Sequence, residues 1–223
     1  MRGWAAGAAL ALLAVPPARL PPDLDRYITK YVNLSSAQLA DLSAGRAVTR
    51  LLDSDPAKEV AVFGAMWVNA PMAAYVAAVR DIEHLERGEN FIVTKKIGNP
   101  PRIDDFAPMH VPDDDAEDLR TCRVGQCLIK LPQSAIERIR RDVDWSKPSR
   151  ADLDRIAREL SLDYVRGYLE GGNDQLAVYR DADRPTFVAS EFRSMIDRLP
   201  SLAEFLPDLK RYLLDFPKAT LPS

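Results

Sequence analysis

The chain has little of what most catalytic and metal-binding motifs are made from: 2 cysteines, 2 histidines and 10 glycines in 223 residues. No phosphate loop, dinucleotide glycine motif or hydrolase elbow can be read along it. Gly171-Gly172-Asn173 reads as a helix-ending turn. A zinc centre needs three or four ligands. Cys122, Cys127, His84 and His110 would supply four, but their spacing fits no finger. Asp113, Asp114, Asp115, Glu117 and Asp118 lack the alternating ligands, glycine and distal glutamate of a calcium loop. Coming after Val111-Pro112, they read as a helix start, where negative charge meets the dipole. Ser-His-Asp catalysis would have to use His84 or His110, and no nucleophile motif accompanies either. The sequence therefore assigns no catalytic, cofactor-binding or metal-ligating residue. An enzyme of unrecognised type is the minority alternative.

An excess of basic charge is missing too. The chain carries 30 Lys and Arg against 33 Asp and Glu, a net charge of −3, interleaved along most of its length. Nothing in that pattern suggests the basic face a nucleic-acid binder needs, and no nucleic-acid partner is expected. The longest apolar run, Trp4 to Val15, is about half of what crosses a bilayer, so no stable transmembrane anchor is expected. Behind Arg2 and ahead of Pro16, Pro17 and Arg19, that run has the form of a secretory signal peptide. The expectation is export to the periplasm or cell envelope, with residues 1–21 removed.

With 47% hydrophobic and 28% charged residues, the remainder can bury a core and stay soluble. Short helices are expected over 23–32 and 36–42. The β-branched runs at 47–52 and 59–68, joined by Asp53-Ser54-Asp55-Pro56, predict an antiparallel hairpin. After Asn69-Ala70-Pro71, apolar residues at 72, 75, 76, 79, 82 and 85 predict one amphipathic helix closed by Gly88. Strands are expected over 91–97 and 126–131, separated by an irregular, proline-rich, acidic stretch at 98–121 with a short helix at 113–120. Beyond Pro132 the chain reads as helices at 132–142, 149–170, 185–198 and 201–216, broken by Leu-Pro and Phe-Pro steps. The fold class is α+β: a small antiparallel sheet of about four strands with packed helices and a helical C-terminal half. The domain reading is a leader at 1–21, an α+β domain at 22–142 and a helical extension at 143–223.

Cys122 and Cys127 enclose four residues, among them Gly125. An even cysteine count in an exported chain points to a disulfide. Free thiols and a redox or metal role are the competing readings.

Two stretches carry a resemblance. Glu59-Val60-Ala61-Val62-Phe63-Gly64 leading to Val68-Asn69-Ala70-Pro71, then Val79-Arg80-Asp81-Ile82-Glu83, resembles the opening of START-like helix-grip proteins. That resemblance implies a curved sheet around a helix and an apolar cavity, which Met72, Tyr75, Val76, Val79, Phe63 and Trp67 would line. The span around Cys122 to Pro132 is similar to a group of uncharacterised exported bacterial proteins, which implies export and no particular activity. In that group further strands follow the position of Leu221, and the resemblance therefore implies a truncated or divergent version. The functional expectation is a binding module for an apolar small molecule or lipid. The alternative is an interaction or scaffold protein of the cell envelope, suggested by Phe187, Phe192, Ile196, Phe205, Leu206, Tyr212, Leu213 and Phe216 in the helical tail.

Overall fold

The computed structural model describes residues 20–57, 59–88, 91 and 93–217. The expected leader lies almost wholly outside the described residues. The chain divides into two compact units, Met1–Ala70 and Pro71–Ser223.

In the first unit, helix α1 (Pro22–Tyr27) starts on a proline whose missing N–H costs nothing there, with Asp23 and Asp25 in the dipole-favoured first turn. It runs into a wider turn, Ile28–Val32, which Asn33 ends in the left-handed region at φ 54°. Helix α2 (Ser36–Ser43) opens with a capping box. The Gln38 N–H donates to Ser35 Oγ at 3.3 Å, and the Ser35 N–H donates to Gln38 Oε1 at 3.0 Å. Strands β1 (Val48–Leu52) and β2 (Ala61–Ala65) form the expected antiparallel hairpin, with Val48 opposite Ala65 and Leu52 opposite Ala61. Period-two alternation turns Val48, Leu52, Phe63 and Ala65 toward Ile28, Val32, Leu34 and Leu42, and these make the unit's core. The same alternation leaves Leu51 and Val62 on the outer face, 73% and 62% exposed, as a cross-strand apolar pair.

The second unit is mainly helical. Helix α3 (Met72–Arg80) stops at Asp81, which takes a non-helical conformation, and α4 (Ile82–Leu85) follows as a separate turn. The single helix expected to reach Gly88 is thus broken. Helices α5 (Asp113–Thr121), α6 (Gln133–Asp142) and α7 (Arg150–Gly171) lie close to their expected bounds. Leu119, Ile139, Val143, Leu153 and Ile156 form their common core, so residues 142 and 143 both lie inside this unit. A two-stranded sheet, β3 (Val178–Tyr179) with β4 (Thr186–Phe187), precedes α8 (Val188–Asp197), α9 (Pro200–Phe205) and α10 (Pro207–Asp215). The tail residues Phe192, Phe205, Tyr212, Leu213 and Phe216 are half-buried and Ile196 is buried. Phe216 stacks on Tyr168 with ring centroids 5.1 Å apart, and Asn173 Nδ2 donates to the Leu213 carbonyl at 2.7 Å.

The architecture is α+β, as expected, but the sheet is not one of four strands. Two two-stranded sheets are present among the described residues. Among the described residues no strand forms over 91–97 or 126–131, and the hydrogen bonds show why. The Lys96 N–H donates to the Glu83 carboxylate at 2.9 Å, so a side chain takes the place of a ladder partner. Around the cysteines the chain folds back on itself in a tight turn: Arg123 bridges to Gln126, and Gly125 sits at φ 85°. Cys122 and Cys127 are bonded to each other there. Single bonds tie the turn and its exit to the β3 end, from the Gly125 N–H to the Arg180 carbonyl at 2.7 Å and from the Arg180 N–H to the Leu131 carbonyl at 3.0 Å. Isolated bonds of this kind satisfy the backbone without building a ladder.

Candidate functional site

The site is built by α7 and the proline-rich segment before α5. Along α7, Leu153 and Ile156 are buried. Arg150, Asp154 and Arg158 follow one another at four-residue spacing and so form a stripe along one side. The segment 98–112 contains Pro100, Pro101, Pro108 and Pro112, which cannot donate and which break regular structure. Its remaining backbone groups need partners from elsewhere, and α7 supplies them. Arg166 Nη2 donates to the Pro101 carbonyl at 3.0 Å, and Arg158 Nε to the Met109 carbonyl at 2.9 Å. Arg150 Nη2 donates to the Val111 carbonyl at 2.8 Å and pairs with the Asp113 carboxylate. Asp154 Oδ1 accepts the Val111 N–H at 2.8 Å.

The other oxygen of Asp154 meets a histidine. His110 Nδ1 lies 2.8 Å from Asp154 Oδ2. The His110 side chain is 69% exposed and that of Asp154 only 16%. Partial burial pushes the Asp154 carboxyl up, but the hydrogen bonds from His110 and the Val111 N–H, with the charges of His110 and Arg158, outweigh it. The group is held below the ordinary carboxylate value and is ionised near neutral pH. A carboxylate at 2.8 Å from a ring nitrogen needs a proton between them, so Nδ1 carries a hydrogen toward Asp154 and Nε2 is the ring nitrogen turned away from that bond. Arg158 Nη2, itself a donor, stands farther from Nδ1, at 3.5 Å.

His110 lines an open cleft of about 310 Å³ together with Val93, Lys95, Ile97, Asp105, Phe106, Pro108 and Met109. Val93, Lys95 and Ile97 alternate in the sequence and contribute one wall, although no ladder forms there. Asp105 turns inward on its own loop: Oδ2 accepts the Arg102 N–H at 2.8 Å and the Gly98 N–H at 3.1 Å. The Arg102 bond is the largest influence on it. Partial desolvation opposes that bond, while the Gly98 bond and the charges of Lys95 and Arg102 act with it, and the carboxyl is held below its ordinary value. Lys95 Nζ reaches the Asp104 carbonyl only at 3.5 Å. The lining thus combines the apolar side chains of Val93, Ile97, Phe106, Pro108 and Met109 with the basic side chains of Lys95 and His110 and the carboxylate of Asp105.

The residues singled out in the sequence fall elsewhere. Met72, Tyr75, Val76 and Val79 lie on α3, where no residue is buried. Phe63 packs on the core of the first unit, and Trp67 follows β2 in the same unit. None of the six lines the cleft. His84 pairs with Asp81 at 3.2 Å, and both side chains are exposed. Among the described residues no group of three or more His, Cys, Asp or Glu is placed to hold a metal ion. The acids at 113–118 open α5, as expected of a helix start. No described helix is long and apolar enough to cross a membrane.

Sequence reasoning met His110 only as a lone histidine. Its partner is 44 residues away, so no local motif joins them. The available signal was the ionisable stripe Arg150, Asp154, Arg158 running beside the core positions of a long helix. No family model matches the chain, and no curated protein or solved structure matches it either.

Proposed function

We propose that the protein is a binding module for a small molecule with an apolar body and an acidic head group, of the fatty-acid or aromatic-acid class. The observation that carries this reading is the composition of the cleft. Val93, Ile97, Phe106, Pro108 and Met109 offer apolar surface, and Lys95 and His110 stand in the same lining. Concave sites with mostly apolar walls and a few placed polar groups are the usual form of small-molecule sites. The protein carries out this role after export to the periplasm or cell envelope, with residues 1–21 removed. The Cys122–Cys127 bond supports that location, since disulfides persist in oxidising compartments. Intact-mass measurement on envelope fractions tests the export reading, and a full-length mass in the cytoplasmic fraction contradicts it.

Titration of the purified protein with octanoate, octanol and octane, followed by amide and methyl NMR shifts, tests the binding. Octanoate is expected to shift residues 93–110 at concentrations where octanol shifts them far less. Lys95→Met should remove that preference. Equal shifts for octanoate and octane, or shifts confined to other residues, would overturn the reading. A second reading, a cell-envelope interaction protein, is favoured by the exposed outer face of the hairpin, where Leu51 stands opposite Val62. Concentration-dependent sedimentation that Leu51→Lys abolishes would support it.

A further inference from the structure

We propose that the same cleft hydrolyses carboxylic esters with an apolar acyl group, with His110 as the general base and Asp154 as its positioning residue. The inference rests on the binding reading above, because the acid bound there would be the product of the reaction. The geometry that carries it is the pairing of an oriented imidazole with a half-apolar cleft. Asp154 Oδ2 stands 2.8 Å from His110 Nδ1, and Asp154 Oδ1 is itself held by the Val111 N–H at 2.8 Å. Both ends of the carboxylate are therefore fixed, and with them the tautomer and plane of the ring. Nε2 has no hydrogen-bond partner among the described residues, and His110, Met109 and Lys95 are all among the residues that line the cleft. A metal is not needed for this step, nor is a side-chain nucleophile.

The step balances with water alone. Nε2 takes a proton from a water molecule as the water oxygen forms a bond to the ester carbonyl carbon. The carbonyl π pair moves onto oxygen, where the Lys95 ammonium can stabilise the negative charge. That pair returns as the carbon–alkoxide bond breaks. The Nε2 proton passes to the leaving alkoxide, giving an acid, an alcohol and the neutral imidazole. Base catalysis of this kind contributes typically ~10²–10⁴-fold. Val93, Ile97 and Phe106 would favour long over short acyl groups.

The test uses the full chain with p-nitrophenyl octanoate and p-nitrophenyl acetate, read as nitrophenolate release. The expected result is octanoate ester hydrolysis at least about 100-fold faster than with equal free imidazole, and faster than for the acetate ester. His110→Gln should fall to background, and His84→Gln, in the exposed pair with Asp81, should change nothing. Asp154→Asn should lower the rate and also move the His110 ring nitrogen shifts toward the other tautomer, a signature that a merely structural role would not give. The protein mass should stay unchanged during turnover, and an acylated His110 would overturn the general-base role. A rate no better than imidazole, or one unaffected by His110→Gln, overturns the proposal. If octanoate still binds at 93–110 in that case, the hydrolysis fails alone and the binding reading stands. If the ester turns over through His110 while octanoate does not bind, the binding reading fails and the hydrolysis stands.

Discussion

Residues 72–80 form a regular amphipathic helix in which nothing is buried, whereas residues 98–112, with four prolines and a single short 3-10 turn, are tied to α7 along their length. Pro101 is buried there, while Met72 and Tyr75 are more than half exposed. Regularity and anchoring are thus separate properties. A helix satisfies its backbone by itself and needs no neighbour for that purpose. A proline-rich segment cannot, so its carbonyls and amides recruit Arg150, Asp154, Arg158 and Arg166, and the recruitment builds the cleft wall. The site exists because the irregular segment had to be held.

Several substitutions would break or sharpen this contrast, and the largest effect is expected where α7 ends. Gly172 is buried at φ 62° and ψ −141°, a region open essentially to glycine alone. A Cβ there would meet the Phe216 carbonyl oxygen and come within 2.6 Å of its carbon. Gly172→Ala should cost more than about 3 kcal/mol and release the α10 docking, seen as a lower melting temperature and loss of the Tyr168–Phe216 ring-current shifts. Ile156→Ala removes a side chain only 1% exposed in the core that α7 shares with Leu119, Ile139 and Val143. It should cost about 2–4 kcal/mol in urea unfolding. Replacing Cys122 and Cys127 together by alanine should cost about 2 kcal/mol, the smallness following from the short loop they close.

Asp154→Ala leaves the Val111 N–H and His110 without their acceptor and should cost about 1–3 kcal/mol at neutral pH. Its pH dependence has a definite sign. Asp154 is held below its ordinary value in the folded chain, so its contribution is present above that ordinary value and is lost as the pH falls through the depressed one. The stability gap between wild type and Asp154→Ala should therefore close on acidification below about pH 4. A gap that widened in acid would contradict the assignment. The smallest effect is expected in α3. Val79 is 41% exposed, and Val79→Asp should change stability by no more than about 0.5 kcal/mol. Unfolding of that variant would show α3 to be a core element and erase the contrast.

The same separation explains which elements could be read from the sequence. The helices α2, α5, α6 and α7 and the β1–β2 hairpin were legible because their signals are local: a capping box at Ser35, acids at 113–115, apolar spacing along 150–162, and β-branched runs around a turn. The four-stranded sheet was not, because the alternation at Val93, Lys95 and Ile97 reads the same whether the segment faces a ladder or a cleft. Whether its backbone meets another strand or the Glu83 carboxylate is decided outside the segment. The Cys122–Cys127 bond could be read from the cysteine count and spacing, whereas the His110–Asp154 pair of the site could not. A pair 44 residues apart is made by the packing of 98–112 on α7.

Residue-resolved hydrogen–deuterium exchange with and without octanoate tests the account most directly. The Val111 amide, donated to Asp154, should be protected well above the amides of Met72–Arg80, and octanoate should slow exchange within 93–111 alone. A Val111 amide that exchanges as freely as those of α3, with no response to octanoate, would contradict it.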